Sequence, residues 1–280
     1  MRSIVPALVV ACAVAMVLGD GAPAEAQQRP LITQDPEVIG NGRLLIESGV
    51  ETGTNVWYPV SGLTGDRVAV PVGVSIGLGS VTELQLDGGY QGLAIEQRDF
   101  APLDFRVRGG DHTSDVIDLT LGMKVRVLAE GTRRPSLGLR LATELPNASN
   151  ESGLGLDTLN FVGTILAGKT VGAFRLVGNA GVALLSDVVQ GSLQHDAFVG
   201  SVSVAYALRP SIDLIGEVAG RQVLFVDQPP IGAEPRGQVR AASRYTRGRW
   251  RADAGLIIGT TRQDADLGVS FGLTWIGQVH

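Results

Sequence analysis

From Val68 to Leu78 the chain reads Val-Ala-Val-Pro-Val-Gly-Val-Ser-Ile-Gly-Leu, with a large apolar side chain at every second position and a small one between. Residues i, i+2 and i+4 of a strand share a face, so Val68, Val70, Val72, Val74, Ile76 and Leu78 form one apolar stripe, which a helix would scatter around its circumference. The opposite face, Ala69, Pro71, Gly73, Ser75 and Gly77, has too little bulk to fill the core of a soluble sandwich. It suits a strand whose back faces a wet lumen while its front faces lipid.

The alternation recurs along the chain. Ile117, Leu119, Leu121, Met123, Val125 and Val127 oppose Asp118, Thr120, Gly122, Lys124 and Arg126. Leu267, Val269, Phe271, Leu273 and Trp275 oppose Gly268, Ser270, Gly272 and Thr274. Strand six, from about Leu156 to Ala167, is blurred by the pairs Phe161-Val162 and Ile165-Leu166. Long loops (55–67, 96–114, 146–155, 186–194, 223–235 and 261–266) alternate with tight turns near Gly79, Arg133, Gly168, Pro210 and Gly248. An even count of about twelve strands with alternating loop lengths is the signature of an all-β, transmembrane, antiparallel up-and-down β-barrel. Pro71 lacks a ladder donor, and the topology predicts that it sits toward the outer rim.

The N-terminus has a charged start, an apolar run from Ile4 to Leu18, and Ala24-Glu-Ala26, the plan of a signal peptide. The expected organisation is a signal peptide over 1–26, a Pro-punctuated periplasmic lead-in over 27–42, and the barrel over 43–280. The apolar run is too short to span a bilayer as a helix, so membrane residence has to be through strands. Cys12, the only cysteine, lies in the signal, which leaves the exported chain without a disulfide. A net charge of −5 argues against a nucleic-acid partner. The expected partners are outer-membrane lipid and a small-molecule solute.

No G-x-S-x-G, Walker loop or H-E-x-x-H is present, and nothing marks a catalytic residue, a cofactor site or a metal site. Ser192 with His195 is the one nearby nucleophile–base pair, in a segment that reads as a solvated loop. The informative residues are charges on the small-residue face. Glu47, Asp87, Glu217 and Asp253, with Arg140, Arg175, Arg240 and Arg251, are the lumen and selectivity candidates, in the company of Glu51, Glu83, Asp118, Lys124, Arg126 and Arg244. Two arrangements satisfy such a set: a water-filled pore whose charged wall selects solutes, or a plugged small barrel whose charges pair internally.

The lead-in Arg29-Pro-Leu-Ile-Thr, the segment Asn41-Gly-Arg-Leu-Leu-Ile-Glu-Ser-Gly-Val-Glu51, the stretch Gly79-Ser-Val-Thr-Glu-Leu-Gln-Leu86 and Asn179-Ala-Gly-Val-Ala183 resemble a family of outer-membrane barrels named for the meta-pathway of phenol degradation. That resemblance implies a transporter-like outer-membrane channel for small, aromatic or hydrophobic molecules. The alternative it leaves is a non-conducting structural or adhesive barrel acting through its loops. The sequence departs from the family at its end, where Trp275 is followed by Ile-Gly-Gln-Val-His280 instead of stopping on an aromatic.

Overall fold

The computed structural model describes residues 29–101, 110–224 and 228–278. The segment expected to be a signal peptide lies outside the described residues. Among them, twelve strands form a closed antiparallel barrel in which every strand pairs with its sequence neighbours and the last closes on the first. The first six strands are β1 (Arg43–Tyr58), β2 (Leu63–Gly77), β3 (Thr82–Arg98), β4 (His112–Leu128), β5 (Ser136–Glu144) and β6 (Asn160–Val171). The second six are β7 (Phe174–Ser186), β8 (Gln194–Arg209), β9 (Ile212–Val223), β10 (Arg236–Arg247), β11 (Trp250–Gly259) and β12 (Gly268–Gln278). Closure leaves no unpaired edge, which is what a sheet surrounded by hydrocarbon requires.

Facing follows the period of two. Val70, Leu86, Leu121, Leu141, Val202 and Phe271 are exposed on the outside, members of an apolar belt to which every strand but β10 contributes heavily. Soluble monomers do not carry so large an apolar surface, and lipid is the solvent that suits it. On the inside, Ala69, Glu83, Lys124, Ser203 and Glu217 are buried.

Four readings need correction. In β4, one extra residue lies between the pairs Asp87–Thr120 and Gly89–Ile117, a β-bulge. It reverses the alternation below Leu119, so Val116 faces outward and Ile117 lines the lumen, where simple alternation put Ile117 on the lipid face. In β6, the blurred pairs resolve with Phe161 and Ile165 outside and Leu166 buried, because the interior here is partly apolar. The first loop is also shorter than expected: β1 and β2 continue, with irregular pairing, to Tyr58 and from Leu63. Pro71 is mid-strand and not at the rim. It stays paired with Gly89 of β3, while pairing to β1 lapses between Ser48–Val72 and Glu51–Ala69, and Ser48 Oγ donates to the Pro71 carbonyl at 3.0 Å.

The tight turns at 172–173, 210–211 and 248–249 lie at one end, with the longer 78–81 and 129–135. At the other end, long connections fold over the mouth. Asp118 accepts hydrogen bonds from the amides of Asn147 and Ala148, and Ser61 Oγ donates to the Gly153 carbonyl at 2.7 Å. Leu154 packs there with Leu63 and Leu93.

Leu121→Arg, which puts a charge in the lipid belt, is expected to lower barrel stability by about 2–4 kcal/mol. Thr120→Arg, one residue along and facing the lumen, is expected to cost less than half as much. Urea titration of the refolded proteins in lipid checks this, and equal losses would mean the facing is inverted.

Candidate lumenal site

The lumen is occupied. Residues 29–42, expected to be a lead-in on the periplasmic side, form a strap that runs inside the barrel from Arg29, beside Glu47 and Gly272, to the tight-turn end where β1 begins. The reason is visible in the bonds. An aperiodic segment has backbone amides and carbonyls with no ladder partner, and the inward polar side chains supply partners for them. Glu217 accepts from the amide of Ile32 at 2.9 Å and also from the amide and hydroxyl of Thr33. Asn179 accepts from the Gln34 amide at 2.7 Å and donates to the Gln34 carbonyl at 2.8 Å, a reciprocal pair that mimics one rung of a sheet. Glu83 accepts from the Ile39 amide at 2.9 Å while Lys124 sits 3.1 Å from its other oxygen, both side chains being fully buried. Ile39 packs on Leu45 and Ile276, an apolar floor beneath the strap.

The eight charges picked out by sequence all face inward, and their positions divide the wall. Arg175 grips Asp35 with two bonds, Nη2–Oδ1 at 2.7 Å and Nε–Oδ2 at 2.9 Å, and reaches Glu130 with Nη1 at 2.6 Å. Arg240 donates to the Pro30 carbonyl at 2.8 Å and lies 3.4 Å from Glu51. Glu47 accepts from the Arg29 amide at 3.4 Å, and Asp253 lies 3.9 Å from the Arg29 guanidinium. That guanidinium fits only because glycines face it: a Cβ on Gly49 or Gly272 would collide with Arg29. Arg140 lies 3.8 Å from Asp87 and donates to Gln85 at 2.7 Å, which in turn donates to Gln34 at 3.3 Å. Arg251 is buried on the same face of β11 as Asp253.

Beyond the strap, toward the covered mouth, the lumen is hollow. A cavity of about 410 Å³ under the outer loops is lined by Glu51, Asp118, Glu144, Arg221, Arg236 and Arg240. It shares Arg221, Arg236 and Gln238 with a second hollow of about 340 Å³ that touches the strap at Ile32 and Gln34. A third, lined by Arg29, Leu31, Glu47, Asp87 and Arg140, lies along the strap itself. Part of this interior is apolar: Val162 and Val199 pack on a buried cluster of Ala183, Leu185, Ala197, Val223 and Ala233. Arg221, Arg236 and Gln34 were not among the sequence candidates. The alternation puts Arg221 on the inward face of strand nine without singling it out, Arg236 falls before the periodic part of strand ten, and nothing marks the lead-in as lumenal.

Among the described residues no hydrogen bond joins Ser192 to His195. His195 Nε2 is instead 2.7 Å from Asp187 Oδ2. This contact, with the amides of Gln190 and Val189, holds the Asp187 carboxyl below its ordinary range. Among the described residues no group of His, Cys, Asp and Glu is arranged to hold a metal.

A family model described as "Putative MetA-pathway of phenol degradation" matches residues 27–274. The chain belongs to this family. The match takes in residues 29–42 as well as the strands. Among solved structures the barrel is similar to an outer-membrane channel from Pseudomonas putida F1, at 11% identity and a TM-score of 0.59, covering 94% of this chain and 100% of that one. Weaker likenesses are to the translocator domain of the autotransporter NalP from Neisseria meningitidis (13% identity, TM-score 0.47, 84% of this chain and 88% of that) and to the Ralstonia pickettii toluene transporter TbuX (10%, 0.40, 86% and 90%). No curated protein matches the sequence.

If Arg175 anchors the strap, Pro36→Cys, a buried position, should react slowly with a maleimide in the folded barrel of residues 27–280, a span with no other cysteine. Adding Arg175→Gln removes charge-assisted bonds worth about 1.5–3 kcal/mol, so labelling is expected to accelerate about tenfold or more. Unchanged kinetics would mean that Arg175 does not hold the strap.

Proposed function

We propose that this protein is an outer-membrane channel in which small solutes pass between the strap and the charged wall, and not a wide water-filled pore. The observation that carries the reading is the hollow lumen above the strap, whose chambers share lining residues from the covered mouth down to Ile32 and Gln34. An empty, partly apolar interior has no structural purpose in a barrel built only for rigidity, which would fill it with side chains. The likeness of the fold to an outer-membrane channel supports the same reading, as does the lipid-facing belt.

In this reading Glu47, Asp87, Arg140, Arg240 and Asp253 have two roles, seating the strap and presenting charge to the passage. Arg175 and Glu217 act through the strap's position, and Arg251 lies with Asp253 on the inward face of β11. The apolar stretch around Val162 and Val199 suits small hydrophobic or aromatic solutes, with polar groups on the opposite wall to orient them. A second reading, a non-conducting barrel acting through its outer loops, is favoured by one specific observation: the strap's many bonds seat it firmly across the lumen.

Conductance across a planar bilayer separates the two. The mature chain should give small currents, and a chain lacking residues 29–38 should give currents several-fold larger. Reversing Arg140, Arg240 and Arg251 to Glu should shift the reversal potential in a salt gradient toward cation preference, with the shift shrinking as salt screens the wall. No current from either chain across repeated insertions would overturn the channel reading in favour of the loops.

A further inference from the structure

One rung of the β9–β10 ladder breaks the rule that governs its neighbours. Going up the lumen face, Arg244 stands opposite Asp213 with 2.8 Å between Nη2 and Oδ2, and Arg240 stands opposite Glu217 with 3.9 Å between Nε and Oε2. Beyond the inward rung Gln238–Ala219, the next charged rung pairs Arg236 with Arg221. Like charges directly across an antiparallel pair repel, so this rung costs stability where an acid would have added it. Neither guanidinium makes an ion pair or hydrogen bond among the described residues, and Arg221 Nε is buried without a partner. Glu144, Glu234 and Asp264 are near enough to act on Arg221 electrostatically, but none is in ion-pair contact with it. Two of the three have other partners: Glu144 accepts from Asn160 at 3.0 Å, and Asp264 accepts from the Gly237 amide and the Thr261 hydroxyl.

Both arginines line the hollow that meets the strap, and the rest of its wall is divided by chemistry. Its other polar members include Arg140, Asn179, Gln34, Ser201, Gln238 and the acid Asp264, each already hydrogen-bonded to another residue. Its apolar members are Val162, Val199, Ala219 and Ile32, the last of which is 42% exposed although it lies inside the barrel. A chamber of about 340 Å³ is large enough for a small organic molecule.

We propose that the Arg221–Arg236 rung is a binding site for the carboxylate of a small amphiphilic monocarboxylate, whose apolar body lies against Ile32, Val162, Val199 and Ala219. Guanidinium donors in a fixed fork match the two oxygens of a carboxylate, and the anion relieves the repulsion between the two arginines. The apolar wall supplies what a bare inorganic anion could not use. This inference rests on the channel reading and deepens it by naming a class of solute.

The test is isothermal titration of the full-length refolded barrel in detergent, at a pH where carboxylic acids are ionised, with hexanoate, its neutral isostere hexanamide, and formate. Hexanoate is expected to bind at least about tenfold more tightly than either of the others. Arg236→Gln and the double variant Arg221→Gln/Arg236→Gln should reduce hexanoate to the level of hexanamide, whose own binding stays unchanged, while Arg236→Lys retains part of the preference. Equal affinity for hexanoate and hexanamide in the unaltered protein would overturn the proposal, as would formate binding as tightly as hexanoate or a double variant that binds hexanoate normally. Folding of each variant is checked by its heat-modifiable migration, and if the double variant does not fold, the three-ligand comparison in the unaltered protein decides. Because binding is read without a membrane potential or a current, a barrel that binds hexanoate but does not conduct keeps this site and loses the channel. One that conducts without preferring hexanoate keeps the channel and loses this site.

Discussion

A polar group buried without a partner costs more than a made hydrogen bond returns, and that asymmetry shapes the interior of this barrel. The wall brings Glu47, Glu83, Asn179, Glu217 and Arg240 inward because strand alternation gives them no other direction. The strap brings unpaired amides and carbonyls. Each satisfies the other, most completely at Glu217 and at the reciprocal Asn179–Gln34 pair. Toward the outer mouth the wall meets a hollow instead, and Arg221 Nε is buried there without a partner, as Arg29 Nε and Asp253 Oδ1 are at the strap's first residue.

The glycine content has a related cause. Small residues on the inward face let long charged side chains lie flat across neighbouring strands, and Gly49 and Gly272 do this for Arg29. A lumen of twelve strands is too narrow to hold both a strap and a full complement of large inward side chains. The small face of the Val68–Leu78 stretch, which first pointed to a lumen, is thus also the condition for filling part of it.

The fold was legible because its dominant force leaves a periodic mark. Lipid on one side and a narrow lumen on the other impose a period of two, and closure imposes alternating loops. The departures have local causes that periodicity does not encode. The β4 bulge adds one residue beside Asp118 and turns Ile117 inward, and in β6 the apolar interior makes Leu166 as acceptable inside as Ile165 is outside. The strap was read as a lead-in because its bonds run from its backbone to distant side chains, a pattern with no sequence period. The alternation puts the eight charged candidates on the inward face, but Glu217 looks the same in sequence whether it meets water or the amide of Thr33.

Hydrogen–deuterium exchange of the folded, lipid-embedded barrel, resolved over residues 29–42, tests the seating of the strap directly. The amides of Ile32, Thr33, Gln34 and Ile39, each bonded to a wall side chain, should exchange orders of magnitude more slowly than in a free peptide of the same sequence, and Glu217→Gln should speed exchange at Ile32 and Thr33 first. Exchange of all four at the free-peptide rate, with the strands still protected, would contradict the account.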